Sequence, residues 1–198
     1  MSVHALGGNF KIKEIYLGRK IHKPSFDKII PMFYQVAVTM FFVLSKYKNK
    51  YITSKIEVTK DEKQRIDSFL QKPEFAKIAI LKKYAFQNLQ VLASRNIQKY
   101  LGLGPEEVKM IQKSESLISQ NEWVRILANV FKYISKHKIT DRIATDIAIA
   151  ISPFFFLRVL KYFEELNNIK SKKDINASIF RQAKELQRLT ISKNAKDY

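Results

Sequence analysis

The feature that most constrains this fold is the dipeptide Ser152 and Pro153, in the apolar stretch TDRIATDIAIAISPFFFLRVLKYFEELNNI. Serine is a preferred N-cap, and proline is best tolerated at the first helical position, where its missing N–H has no intrahelical partner. The pair therefore predicts that a helix begins at Pro153. Apolar residues then recur at three- and four-residue steps, which places them on one buried face of a helix over 153–166: Phe156, Val159, Leu160, Phe163 and Leu166.

A second amphipathic helix is predicted directly before this one. It begins at Thr140, an acceptable N-cap, and carries Ile143, Ala144 and Ile147 on one side. The small Ala144 allows another helix to cross closely, as a helix-turn-helix requires. The stretch is thus predicted to form two helices joined by a tight junction.

In this register, residues 140–169 resemble the winged helix-turn-helix superfamily. The resemblance implies a winged-helix-like domain with a terminal helix over 119–198. The capping and periodicity signals of the amino-terminal half predict a basic helical bundle over 1–118, so the predicted fold class is mainly α. The run KSKKD after Ile169 then becomes the tip of a short β wing, with Ile169 and Ile175 in its flanking strands. Ser152 follows the first buried isoleucine later than in the family pattern, so the turn is longer, and an ordinary helical hairpin is the alternative.

The resemblance also implies which residues contact DNA. The exposed face of the 153–166 helix would enter a major groove, with Arg158 at a guanine edge, and Lys161 and Tyr162 at phosphates. Phe154 and Leu157 would contact thymine methyl groups. This face is more apolar than most DNA-reading faces, so the alternative is that these two residues contact a protein partner or the amino-terminal half.

Two lysine clusters are further candidates for phosphate contact. On the implied wing they are Lys170, Lys172 and Lys173. In the segment KYKNKY, lysines alternate with tyrosines, a combination that suits phosphates and stacked bases: Lys46, Lys48 and Lys50. The alternative for that segment is an exposed loop anchored by its tyrosines.

Local signals predict several other helices. Ser119 and Glu122 form a capping box before an amphipathic helix, and Thr59 with Glu62 forms another. Residues 94–118 contain a second, weaker helix-turn-helix candidate with a cap at Gly104, for which an ordinary helix–Gly–helix connection is the alternative. A terminal helix is predicted over 177–189, with these cations on one side: Arg181, Lys184 and Arg188.

The charge balance indicates the class of partner. The chain has 36 Lys and Arg against 18 Asp and Glu, which gives a formal charge of +18. Such an excess repels itself in a compact state, so it favours a polyanionic partner: nucleic acid first, with duplex DNA favoured over RNA, and an anionic membrane second. A generally basic protein with no dedicated partner is the alternative.

Composition argues against several kinds of chemistry. The absence of cysteine excludes disulfides, thiolate metal sites and cysteine nucleophiles. The three histidines lack ligand spacing, and no phosphate-binding loop or catalytic set is visible, so we expect no metal, no cofactor and no enzyme activity. No signal peptide is recognisable, and the apolar run 29–44 falls short of the roughly 20 residues that span a bilayer, which favours a buried core helix and a cytoplasmic location.

These observations predict a cytoplasmic nucleic-acid-binding protein that binds duplex DNA through a helix-turn-helix, as a regulator or a replication or partition accessory factor. The terminal helix is a candidate for homodimer formation. The alternative is a basic helical, non-catalytic subunit of a larger nucleoprotein complex, such as replication machinery or an RNA-guided effector, which contacts the backbone without reading sequence. The cysteine-free, Lys- and Ile-rich composition is typical of a thermophilic archaeon or one of its viruses.

Overall fold

The computed structural model of the chain describes residues 28–47, 75–93, 95–114, 116–166 and 172–191. These residues form seven α-helices, with a short 3-10 helix (Leu89–Ala93) after the second: α1 (Ile29–Lys46), α2 (Phe75–Asn88), α3 (Arg95–Leu101), α4 (Pro105–Ser114), α5 (Gln120–Lys136), α6 (Asp141–Leu166) and α7 (Lys172–Ile191). No strand occurs among the described residues. The predicted mainly α fold class is therefore confirmed.

Helix α6 is the centre of the fold. It has 26 residues and so is about 39 Å long. Helices α1, α2, α3 and α5 all pack against it. Its buried residues lie on nearly every side, as expected of a helix that is apolar around its circumference.

One hydrophobic core joins the helices before and after residue 118. It includes Phe41 of α1, Leu81 of α2 and Leu101 of α3, together with Ile126 of α5 and Phe154 of α6. The two predicted parts of the chain, 1–118 and 119–198, therefore share a core in the described residues.

Two predicted helix starts are confirmed, and both depend on short-range contacts. The Ser119 backbone N–H donates to Glu122 Oε2 at 2.8 Å, and the Glu122 N–H donates to Ser119 Oγ at 3.3 Å, which completes a capping box at the start of α5. Helix α4 begins at Pro105, as predicted, and the preceding Gly104 N–H donates to Glu107 Oε2 at 2.9 Å.

The predicted junction at Ser152 is wrong, because α6 continues through Pro153. Proline has no N–H to donate to the carbonyl of Ile149, four residues earlier. The Ser152 hydroxyl takes that role, since its Oγ donates to the Ile149 oxygen at 3.0 Å. Ser152 therefore supplies the hydrogen bond that Pro153 cannot make, instead of capping a new helix. Residues 141–166 form one continuous helix rather than two helices joined by a turn.

A partly buried chain of hydroxyl groups supports this arrangement. Tyr34 of α1 donates from its hydroxyl to Ser152 Oγ at 3.0 Å. The hydroxyl oxygens of Tyr34 and Tyr84 are 2.6 Å apart, and because the Tyr34 proton is already used, Tyr84 is the donor between them. Burial, followed by the hydrogen bond to Tyr34, raises the pKa of Tyr84 above its ordinary value. The three hydroxyl groups therefore link α1 and α2 to α6 at Ser152, next to Pro153.

The predicted β wing is also contradicted where the structure describes it. Helix α7 begins at Lys172, so Lys172, Lys173 and Ile175 are helical rather than parts of a wing tip and its strand. A lysine-rich sequence without apolar alternation has little to hold a strand pair together, whereas lysine has a high intrinsic helix propensity. Ile169 and Lys170 lie outside the described residues, as does the helix predicted from Thr59 and Glu62.

Helix α1 is less buried than its apolar sequence predicts. Of its 18 residues only Ala37, Phe41 and Val43 are buried, and Met32 and Val36 are 50% and 61% exposed. By length and composition both α1 and α6 are apolar enough to cross a membrane, a test that the core helix of a soluble protein also passes. The hydrophobic window of α6 is 67% buried inside the fold, against 17% for α1.

Candidate nucleic-acid interface

Most of the predicted recognition face on α6 is buried. Phe154 and Leu157 are fully buried, and Arg158 is only 6% exposed. A side chain that contacts a base edge must reach the groove without obstruction. These three residues are instead enclosed by the helices around α6, so in this fold they present no open face to a DNA groove.

Arg158 is paired within its own helix. Its Nη1 and Nη2 donate to Glu165 Oε1 and Oε2 at 3.0 and 2.8 Å, a bidentate ion pair two turns along α6. Lys161 Nζ donates to Glu164 Oε2 at 3.0 Å. Tyr162 is half-buried, and this burial raises the pKa of its hydroxyl group. The cations that were predicted to contact DNA here are thus matched by carboxylates.

Of the other predicted lysines, the three that the structure describes lie on two different helices. Lys46 is exposed at the end of α1, with its Nζ 4.6 Å from the centre of the Phe42 ring. Lys172 and Lys173 lie in the first turn of α7. The remaining three are outside the described residues: Lys48, Lys50 and Lys170.

The structure instead brings cations together between α5 and α7. An open cleft of about 1080 Å³, here called the basic cleft, is lined by Gln120, Asn121, Arg125, Arg181, Lys184, Glu185, Gln187, Arg188 and Leu189. Four of these side chains are cationic and one is a carboxylate. The surface therefore favours an anion large enough to extend along two helices.

Helix geometry explains why these residues meet. On α7 the cationic residues are three and four positions apart, which places them on one face of the helix. Helix α7 packs on α5, and the buried Ser178 hydroxyl donates to Gln120 Oε1 at 3.3 Å. Because Gln120 and Asn121 are the first residues of α5, the positive end of that helix dipole also lies at the cleft.

Two of the cations are partly neutralised. Arg125 Nη1 is 2.9 Å from Glu107 Oε1. The pKa of Glu107 is held below its ordinary value, first by a hydrogen bond from the Gly104 backbone N–H and then by Arg125. Arg188 donates two bonds to Glu185, at 2.8 and 2.6 Å, and this pairing lowers the Glu185 pKa. Both pairs are exposed enough for an anion to compete for the arginines.

Arg181 and Lys184 are the cations of the cleft without a carboxylate partner among the described residues. Both are exposed, and the Lys184 Nζ lies 4.5 Å from the centre of the Phe180 ring. An exposed cation that is not paired within the protein can bind a phosphate without first breaking an ion pair. These two residues therefore supply the cleft's most accessible positive charge.

A second concave surface is apolar. This apolar groove, of about 710 Å³, lies between α1, α5 and α6, and its lining has no charged side chain: Ile29, Met32, Phe33, Val36, Ala37, Met40, Phe41, Trp123, Leu127, Phe131, Ile151 and Phe155. The single tryptophan thus lines a groove. Such a surface suits an apolar partner and has no charged side chain that could bind a phosphate.

Within the part of the chain that the structure describes, no group of three or more His, Asp or Glu side chains is placed to hold a metal ion. Comparisons with protein-family models, with curated proteins and with solved structures found no match. The cleft is therefore interpreted from its own geometry and charge.

Sequence reasoning identified part of this site and missed the rest. The terminal-helix pattern places Arg181, Lys184 and Arg188 on one side, but periodicity alone does not distinguish a binding face from a solvated one. Arg125 belongs to a different helix, and no sequence signal shows that α5 and α7 pack side by side.

Proposed function

We propose that this protein binds nucleic acid through its phosphate backbone at the basic cleft, without reading base sequence, as a non-catalytic subunit of a nucleoprotein complex. The observation that carries the proposal is the convergence of Arg125, Arg181, Lys184 and Arg188 on one open surface. Backbone contacts by Lys and Arg supply most of non-specific nucleic-acid affinity.

The spacing of the cations on α7 suits a phosphate chain. Arg181 and Arg188 are seven residues apart, which is about 10 Å along the helix axis. One strand of a duplex carries a phosphate every 3.4 Å or so along its axis, so this length spans about three of them. Arginine also binds phosphate through two parallel hydrogen bonds, as Arg188 now binds Glu185.

The overall charge supports the same partner class. The formal charge of +18 attracts any polyanion at long range, and the cleft supplies a place where contact is made. The base-reading mode predicted from the helix-turn-helix resemblance has no exposed recognition helix on α6. Backbone binding needs none, because phosphate contacts set position and affinity rather than sequence preference.

The test removes three cleft charges and compares them with three charges elsewhere. The cleft variant changes Arg181, Lys184 and Arg188 to alanine. The control changes three exposed lysines that belong to no predicted contact, Lys82 and Lys83 of α2 and Lys136 at the far end of α5, to alanine. Each leaves the chain three positive charges short of its +18. We expect the cleft variant to bind labelled duplex and single-stranded DNA more weakly, with a salt slope shallower by about two to three, and the control to stay near wild type.

Equal losses in the two variants would show that only net charge matters and would overturn the cleft as the site. A third variant, Lys161→Ala with Arg158→Met, tests the predicted recognition helix. Because Arg158 is buried and Lys161 is already paired, this variant should bind as the wild type does. Strong sequence preference lost in that variant would contradict the proposal.

A further inference from the structure

An exposed aromatic ring stands beside the basic cleft. Phe180 of α7 is 36% exposed, and among the residues that the structure describes it is the one phenylalanine in the set of exposed large apolar side chains. It lies one helical turn before Lys184, which lines the cleft, and the Lys184 ammonium is 4.5 Å from the ring centre. The ring therefore borders the row of cations.

The position on the helix separates Phe180 from its exposed neighbour. Ile179 is also exposed, but neighbouring residues on a helix point about 100° apart. Ile179 does not lie three or four positions from Lys184 or from Arg188, so it is not on their face of the helix. Phe180 thus faces the side of the cleft, whereas Ile179 points away from it. Only the aromatic residue is placed to meet a ligand that lies along the cations.

Rings beside phosphate-binding cations suit unpaired bases. Proteins that bind single strands combine a basic groove, which follows the backbone, with aromatic side chains on which bases stack. In a duplex the faces of the bases are covered by their neighbours, so an exposed ring finds nothing to stack on. The pairing of ring and cations is therefore useful only to a strand with accessible bases.

We infer that Phe180 is a base-stacking residue and that the basic cleft selects single-stranded over duplex nucleic acid. This inference rests on the proposed function and adds a substrate class to it. One face of the ring carries the Lys184 ammonium, and a base stacks on the other or displaces the ammonium to a neighbouring phosphate. Stacking does not depend on base identity, which agrees with binding that ignores sequence.

The experiment measures affinity for one oligonucleotide sequence as single-stranded DNA, as single-stranded RNA and as duplex DNA. Phe180→Leu keeps an apolar side chain without the ring, Phe180→Tyr restores a ring, and Ile179→Ala is the matched control. We expect Phe180→Leu to weaken single-strand binding roughly fivefold to a hundredfold and leave duplex binding unchanged. Phe180→Tyr should restore it, and Ile179→Ala should change nothing.

A fluorescence readout reports stacking directly. Phe180→Trp adds an indole at the cleft, and a stacked base should quench it, whereas duplex should not; the wild type, with Trp123 alone, corrects for the background. If the triple cleft variant loses binding while Phe180→Leu binds both forms normally, stacking is refuted and the backbone proposal stands. If the cleft variant and the wild type bind alike, or the wild type binds neither form, both proposals fail.

Discussion

Replacing Ser152 with alanine tests the feature that sequence reasoning misread. Ser152 is fully buried, and its hydroxyl makes two hydrogen bonds: it donates to the Ile149 carbonyl at 3.0 Å and accepts from Tyr34 at 3.0 Å. Alanine removes both. The Ile149 oxygen then has no helical donor either, because Pro153 lacks an N–H. The Tyr34 hydroxyl keeps Tyr84 but loses its acceptor.

The expected cost follows from these two orphaned groups. A buried polar group left without its partner costs about 1–3 kcal/mol. Ile149 and Tyr34 are each only partly buried, so water can compensate some of that loss. We therefore expect Ser152→Ala to lower the free energy of unfolding by about 2 kcal/mol. For a chain of this length that corresponds to a fall in Tm of about 4–8 °C.

A double-mutant cycle isolates the contact with the proline. Changing Pro153 to alanine restores an N–H that can donate to the Ile149 oxygen, so the hydroxyl is no longer needed there. In this background Ser152→Ala should cost only about 1 kcal/mol, the share due to Tyr34. Urea unfolding followed by circular dichroism gives all four free energies of unfolding, and the coupling is read from their differences.

Ser135→Ala is the matched control for this cycle. Ser135 of α5 makes the same kind of bond, from its Oγ to the carbonyl three residues earlier, at 2.8 Å, but no proline follows it. Its loss should cost under about 0.5 kcal/mol, since the helix there keeps its own donors. Equal costs of Ser152→Ala with and without Pro153 would refute the idea that the serine replaces the missing N–H.

Two further predictions concern the connection between α3, α4 and α5. Gly102 has φ +62°, and a Cβ there would lie 2.7 Å from Asn129 Nδ2. Gly102→Ala should therefore lower the free energy of unfolding, measured in urea, by about 1–2 kcal/mol. Gly104→Ala is the control and should cost less, because the nearest atom to a Cβ at Gly104 is 3.8 Å away. The pKa of Glu107 is lowered in the fold, so its stabilisation is present at neutral pH and is lost as pH falls below about 4. Glu107→Gln should therefore reduce stability at neutral pH by under about 1 kcal/mol and hardly at all in acid; a penalty that is the same at both pH values would contradict this.

The parts of the fold that sequence predicts well depend on neighbouring residues. The capping box of Ser119 and Glu122, and the start of α4 at Pro105, each require contacts within four positions, so the residues that decide them are visible together in the sequence. At Ser152 the helix continues, because the serine hydroxyl bonds to Ile149 and is also held by Tyr34, which is 118 positions away. Short-range rules favoured a new helix there, and long-range packing overrode them.

The candidate site divides in the same way. Helical periodicity puts Arg181 and Lys184 on one face, and composition gives the sign of the partner's charge. Arg125 joins them only because α7 packs beside α5, which is a property of the folded chain. In the opposite case, Arg158 looked like a surface cation because nothing in the sequence shows that its helix is surrounded on all sides.

The basic cleft lies apart from the hydrophobic core, so effects of cleft substitutions on binding can be separated from effects on stability. Helix α6 contributes much of the buried apolar surface, whereas α7 packs mainly on α5, and among the α7 side chains that the structure describes only Ser178 is buried. The three α7 cations of the cleft and Phe180 therefore lie outside the core, and surface changes of this kind usually alter stability by less than about 0.5 kcal/mol. A binding loss in these variants then reports on the cleft itself, because the helices that hold the fold together do not depend on the substituted side chains.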